Sequence, residues 1–263
     1  MLECNMKFMV LLLGNSFGPW SKLQQDGPLK TWCTKSEGEL DWYVYSGRTP
    51  KFEVINRFLN RAIVSRFLIN HWGKFQKKVD VNQIRFEVSN RKIEIDLFEI
   101  WSNITLKTLV ALRYAHSHTD FDYILRTNAT CYTNLPALVN FIQELDSKIV
   151  YGGPVASGKV FVSGWGVLIS QEGSEVIFKK DNLKHLKMYD DEALGQILAS
   201  HGVKPTPVPF LEIQSHQELD GLSDEYLKTF PFIRVKSSEN GMRTDDQIMS
   251  VIHERLKNSK NYT

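Results

Sequence analysis

The chain has 263 residues, 42% of them hydrophobic, enough for one large α/β domain with or without a short appendage. Thirty-two basic residues against thirty acidic ones leave a net charge of +2, which gives no ground for a nucleic-acid partner but allows local basic patches that bind phosphate. Three cysteines, Cys4, Cys33 and Cys131, are too few and too scattered for a disulfide framework or a zinc site, so a reducing compartment is the simpler reading.

In chain order, strand-like and helix-like runs alternate. MKFMVLLLG reads as a first strand running into the turn Gly14-Asn15-Ser16 rather than as a signal peptide: its apolar run is short and Glu3 precedes it. Ser21–Lys30 is polar with helical character, LDWYVYSG is a strand ended by Gly47, and Phe52–Phe75 carries Ile55, Phe58, Leu59, Ala62, Ile63 and Phe67 at helical spacing. IRFEV and KIEIDLFE alternate with period two, as half-buried strands do. Ile104–Ala115 is a helix, FDYILRT a buried strand, and Leu135–Leu145 a helix opened by Asn134 as N-cap with Pro136 in its first turn. IVYGG, KVFVSG and VLIS read as strands or strand ends; Asp190–His201 is a helix stopped by Gly202. Pro205, Pro207 and Pro209 force an extended segment, and the last helix is Asp245–Lys257. No run approaches the roughly 18 apolar residues of a membrane span. The alternation predicts an α/β fold: a mixed, mostly parallel sheet with helices on both faces. In such folds ligands gather where strands end, which directs attention to Thr127, Asn128 and Thr130 after FDYILRT.

The run Asp96–Thr108, DLFEIWSNITLKT, resembles the hallmark of the β-1,3-galactosyltransferase and fringe-like glycosyltransferases, in which an acidic-aromatic stretch precedes N-L-T-L-K-T. Further pieces follow in that family's order: Thr31-Trp32, LDWYVYSG, Tyr151-Gly152-Gly153, Ser163–Ser170 (SGWGVLIS) and Asp190–Gly195 (DDEALG). The resemblance covers roughly residues 30–205, and its weight lies in ordered co-occurrence. It implies a GT-A (Rossmann-like) fold that moves a sugar from a nucleotide donor, a UDP-sugar, to a sugar hydroxyl with inversion. Residues 1–210 are expected to form the nucleotide-sugar and acceptor domain, and 211–263 a tail or lid packing on it.

The chain departs from the family pattern at T-D-D-D-V-F-V-N. This segment falls on Thr127-Asn128-Ala129-Thr130-Cys131-Tyr132-Thr133-Asn134, so all three aspartates are replaced. Asn128 and Thr130 offer only neutral oxygens where a hard divalent cation wants carboxylates. The resemblance therefore points to an enzyme that requires no metal, with Mn2+ or Mg2+ left open and His216 the candidate ligand if there is one. Fixed cations would then stabilise the leaving diphosphate, and Arg234, Lys236 and Arg243 in FPFIRVKSSENGMR are the candidates. The ordinary reading of Arg234 and Lys236 is a solvated edge strand.

The base needed for inversion is carried over to Asp191, which matches the family's central aspartate, with Asp190 in reserve; an acidic first turn is also a common helix opening. Thr127, Asn128, Thr130, Asp96 and Lys107 are assigned to the donor site, with Glu99 flanking it. Trp165, Gly164 and Gly166 are assigned to the acceptor, since a tryptophan between glycines can stack on a sugar while the glycines let backbone approach. Trp32 and Trp101 read as packing residues. The partners implied are a nucleotide-sugar donor and a glycan or glycolipid acceptor, with no nucleic acid. No transmembrane segment is expected; peripheral membrane contact stays open. The membrane anchor common in animal members is not expected, which suits the cytoplasm of a bacterial cell or a virus-infected host. A catalytically inactive relative that binds glycan or nucleotide is the rival reading, motivated by the missing aspartates. A metal-dependent enzyme with ligands such as His216 and Asp96 is a third.

Overall fold

The computed structural model describes residues 6–15, 18–34, 40–48, 80–118, 120–155, 158–179, 188–239 and 241–258. The helix expected over Phe52–Phe75 lies outside them.

Strand β1 (Phe8–Leu13) leads through helix α1 (Gly18–Gln24), which continues as a π-helix over Gln25–Cys33, to strand β2 (Leu40–Arg48). Strands β3 (Phe86–Ser89) and β4 (Lys92–Phe98) form a hairpin and are followed by α2 (Ile104–His116) and β5 (Tyr123–Asn128). Next come β6 (Cys131–Thr133), α3 (Leu135–Gln143), β7 (Tyr151–Gly153), β8 (Gly166–Ser170), α4 (Gln171–Ile177) and α5 (Asp190–Ser200). The chain closes through β9 (Thr206–Pro207), β10 (Phe210–Ile213), α6 (His216–Asp220), α7 (Asp224–Lys228), β11 (Phe232–Val235), β12 (Ser238–Glu239), β13 (Met242–Arg243) and α8 (Asp245–Asn258).

Eight strands make the main sheet in the order β3-β4-β2-β1-β5-β8-β7-β9. Its centre, β4-β2-β1-β5, is parallel throughout, and only β3 and β8 run against the prevailing direction. This is the mostly parallel sheet expected from the alternation. Both faces of its centre are covered, so β1 and β5 need apolar side chains on both sides. Phe8, Val10, Tyr123 and Leu125 pack into one hydrophobic cluster, and Met9, Leu11 and Ile124 into the other. The first cluster also takes in Phe232, Ile233, Val235, Ile248, Met249 and Ile252, so the C-terminal elements share a core with the sheet.

A smaller sheet, β10-β11-β6, is built on the chain that leaves β5. Its central strand is β11, parallel to β10 and antiparallel to β6, so the run carrying Arg234 is not an edge strand. Pro207 sits in β9 at the rim of the main sheet, where a missing amide hydrogen costs least. Two local expectations change. Asn134 precedes α3 but makes no capping bond with its side chain; its amide donates instead to the Lys228 carbonyl, 3.3 Å away. KVFVSG contributes only the isolated bridge between Val155 and Val162. The short helices α4, α6 and α7 carry too little apolar periodicity to be read from sequence. Among the described residues no helix is long and apolar enough to cross a membrane.

Candidate active site

The parallel strands β1, β5 and β4 end on one cavity of about 1050 Å³, lined after them by Gly14 and Asn15, by Asn128–Thr130, and by Glu99 and Trp101. This is the carboxyl edge of the sheet, where α/β folds bind ligands, and the volume suits a ligand larger than a single sugar. Helix α5 presents Asp190 and Asp191 to the cavity, and β11 and β13 present Arg234 and Arg243.

The two aspartates at the start of α5 have different environments. Asp190 is buried and accepts hydrogen bonds from the Arg126 guanidinium and from the Thr108 hydroxyl at 2.8 Å. Thr108 lies within hydrogen-bond distance of the Tyr45 hydroxyl, which accepts from Arg126 Nε at 3.1 Å. Burial is the largest single effect and opposes the Arg126 charge, but Asp190, Tyr45 and Asp191 together outweigh it, so the guanidinium stays protonated. Asp190 is thus committed inside the fold and does not fit the role of reserve base.

Asp191 stands half-buried beside it. Its Oδ2 accepts from the Gly164 amide at 3.1 Å and its Oδ1 from the Glu192 amide at 2.9 Å. Burial, and then the neighbouring Asp190 carboxylate, raise the Asp191 carboxyl above its usual range, while Arg126 works the other way. The Gly164 contact explains its glycine. A Cβ there would stand 2.6 Å from Arg126 Nη1 and 3.3 Å from Asp191 Oδ2.

Lys107, in the first turn of α2, is not a solvated lysine. It is buried and ion-paired with Glu99, which also accepts the Gly47 amide. Both side chains line the cavity. Across the turn after β5, Thr127 is fully buried and donates to the Trp165 carbonyl at 2.9 Å, so it is structural. Asn128 Oδ1 accepts from Thr130 N at 3.0 Å and from Thr130 Oγ1 at 2.8 Å. The turn therefore presents an amide oxygen already holding two hydrogen bonds, a hydroxyl and an alanine. This is a poor donor set for Mn2+ or Mg2+. Among the described residues no group of three or more His, Cys, Asp or Glu could hold a metal ion.

The basic residues come from the C-terminal elements. Arg234 pairs with Glu212 at 2.9 Å and lies over the Trp165 ring, 5.5 Å from its centroid. Arg243 pairs with buried Asp245 and lies over the Trp20 ring at 5.2 Å. Lys236 follows β11, exposed and on the cavity lining. The cavity thus brings together Asp190, Asp191, Lys107, Asn128, Thr130, Gly164, Trp165, Arg234, Lys236 and Arg243. It does not include Asp96, which faces Arg48 at 3.4 Å from the partly solvated side of β4, nor His216, the first residue of α6. Gly166 is buried against Phe232 at the start of β8. Trp165 is only 5% exposed, so its ring mainly supports Arg234 and packs edge-on against Phe210.

Sequence reasoning missed Arg126, Trp20 and Tyr189 and assigned Trp101 to packing, although all four line the cavity. The signal for Arg126 was present: a lone charge inside an apolar strand must find a partner when buried. For the aromatic residues nothing local distinguished a rim position from the core.

The family model described as galactosyltransferase matches residues 30–163, half of the chain. The chain belongs to the galactosyltransferase family of glycosyltransferases. No curated protein matches its sequence. Among solved structures it is similar to galactosyltransferase LgtC in complex with donor and acceptor sugar analogs, at 10% identity and a TM-score of 0.42 over 95% of this chain and 96% of that one. It is similar to mouse xyloside xylosyltransferase 1, at 10% identity and 0.42 over 90% and 99%. It is also similar to the apo form of the Streptococcus pneumoniae TIGR4 glycosyltransferase GlyE, at 12% identity and 0.45 over 98% and 64%. Likeness at this level says nothing of substrate or stereochemistry.

Proposed function

We propose that the chain transfers a sugar from a UDP-sugar to a hydroxyl of a glycan acceptor, with inversion and without a metal ion held by the protein. One observation carries this reading. Gly164 and Trp165 join a carboxylate to a cation within one cavity: the Gly164 amide holds Asp191, and the Trp165 ring carries Arg234.

Asp191, its proton affinity raised by burial, takes the proton of the acceptor hydroxyl. The hydroxyl oxygen forms its bond to the anomeric carbon from the face opposite the nucleotide. The bond from that carbon to the β-phosphate oxygen breaks, and its electron pair leaves with the diphosphate. Arg234, Lys236 and Arg243 stabilise that charge, which requires fixed positive charge and not a metal as such. Asn128 and Thr130, closed into their own turn, offer the donor the Thr130 hydroxyl and the remaining amide hydrogens.

The test is a thermal-shift panel of UDP-sugars on the full chain, with and without Mn2+ and with EDTA, followed by NMR of the product anomer. A ligand bound to the fold alone raises the unfolding midpoint with its concentration over Kd. Stabilisation by one donor, turnover insensitive to EDTA and an inverted anomer support the reading; EDTA-sensitive turnover or a retained anomer removes it. The neutral turn after β5 equally favours an inactive relative, which would show the stabilisation with no turnover on any acceptor.

A further inference from the structure

Three large hydrophobic side chains stand exposed on the cavity lining among the described residues: Trp20 at 46%, Trp101 at 47% and Tyr189 at 42%. Trp20 has Arg243 over its ring. Trp101 and Tyr189 belong together, their ring centroids 6.3 Å apart and their planes at 63°. An edge-on contact of this kind covers one ring face at most. We propose that Trp101 and Tyr189 form the platform on which a pyranose ring of the acceptor stacks.

The pair is held by the fold. Trp101 lies three residues before α2, and Tyr189 is the residue from which α5 starts. Thr105 of α2 donates to the Met188 carbonyl at 2.6 Å and Thr108 of α2 donates to Asp190 at 2.8 Å. The segment carrying Tyr189 is therefore fixed on both sides to the helix that Trp101 precedes. Two exposed rings locked in one arrangement suit a rigid, flat-faced ligand, because little conformational freedom is lost when it binds.

The surrounding charge selects which ligand. Glu99 lies two residues before Trp101, and Asp190, Asp191 and Glu192 follow Tyr189; all four line the cavity. Asp190 and Glu99 are neutralised by Arg126 and Lys107, whereas among the described residues Asp191 is held by two backbone amides. A nucleoside diphosphate would bring its negative charge towards these carboxylates. A neutral pyranose instead lays its partly positive C–H face on the negative ring faces and points hydroxyl donors at carboxylate oxygens. Tyr189 is two residues from Asp191, the group proposed to deprotonate the acceptor, and the platform rests on that reading of the site.

Saturation-transfer NMR on the full chain tests it, with the methyl β-glycosides of galactose, glucose and N-acetylglucosamine as sugar probes and UDP as the donor probe. Wild type and Tyr226→Ala, an equally exposed aromatic away from the cavity, are expected to bind at least one glycoside. Trp101→Ala should weaken that binding roughly tenfold or more, and Trp101→Ala/Tyr189→Ala should abolish it, with UDP affinity unchanged. Since both rings are nearly half exposed, the unfolding midpoints should stay close to wild type. The platform is overturned if wild type binds none of the three glycosides, if the double variant keeps wild-type sugar affinity, or if it loses UDP and keeps sugar, which would mark a nucleobase shelf. Wild type that binds a glycoside through Trp101 but never binds UDP supports the platform while removing the UDP-donor reading.

Discussion

Arg126 and Asp190 form an ion pair in the cavity wall with both side chains almost wholly withdrawn from solvent. Removing one partner of a buried pair leaves an uncompensated charge, which costs about 3–5 kcal/mol. Arg126→Met is therefore expected to destabilise the chain by about that amount in urea unfolding. Arg126→Met/Asp190→Leu should recover much of the loss, because apolar residues of similar volume can replace such a pair. A double variant no more stable than Arg126→Met would show that the network with Tyr45 and Thr108, and not the charge balance, holds this wall.

Asp191 should show stability and activity moving in opposite directions. Its carboxyl is raised in the fold by burial and by Asp190. The fold therefore favours the protonated acid, and stability falls as the pH rises from the unfolded value to the higher folded one. Asp191→Asn removes that penalty. Its unfolding midpoint at pH 7 should equal or exceed that of wild type, while transfer falls roughly hundredfold or more. The acid limb of the wild-type rate profile should lie above the ordinary carboxylate range; a limb within that range would point to a different base.

The Gly164 backbone is wedged between Arg126 and Asp191, so Gly164→Ala must move one of them. Overpacking of this kind costs about 1–3 kcal/mol. The expected signature is a fall in turnover larger than the modest drop in melting temperature implies, with UDP affinity close to wild type. A variant with full turnover would separate the Gly164 contact from catalysis.

Lys236 is exposed on the cavity lining. Lys236→Ala should change stability by no more than about 0.5 kcal/mol, as surface substitutions do. It should weaken UDP binding, and the affinity lost should shrink as salt is raised, since exposed charge is screened. Calorimetric titration with UDP at two ionic strengths reads this directly. Unchanged affinity at low salt would remove Lys236 from the donor site.

Much of the frame was legible from local pattern. The apolar runs of β1 and β5 gave buried parallel strands, because a strand covered on both faces has nowhere to place a polar side chain. Asp190–Ser200 and Asp245–Asn258 appeared within a residue or so of their expected spans, one stopped by Gly202 with φ 79° and both opened by acids. Asn134 as a cap was less legible, since its side chain found a tertiary partner in Lys228 instead of its own helix.

The site divides along the same line. Residues adjacent to strand ends, such as Asn128 and Thr130, line the cavity because sequence neighbours share a strand's end. Asp96, five residues before Trp101, lies off the cavity, on the partly solvated side of β4 facing Arg48. Which aspartate of a consecutive pair is buried depends on the partner that arrives from elsewhere: Arg126 of β5 takes Asp190, and Asp191 stays half-buried on the cavity lining.

By itself, then, the sequence determined the alternating α/β plan, the family motifs and a turn after β5 that contains no aspartate, because these depend on periodicity and residue identity. Only the tertiary structure decided that Asp190 is committed to Arg126, that Lys107 is committed to Glu99, that Trp165 supports Arg234, and that Trp101 and Tyr189 stand exposed together. The reason is physical: a charge or a ring takes its role from what faces it, and here the facing groups lie from 8 to 88 residues away along the chain.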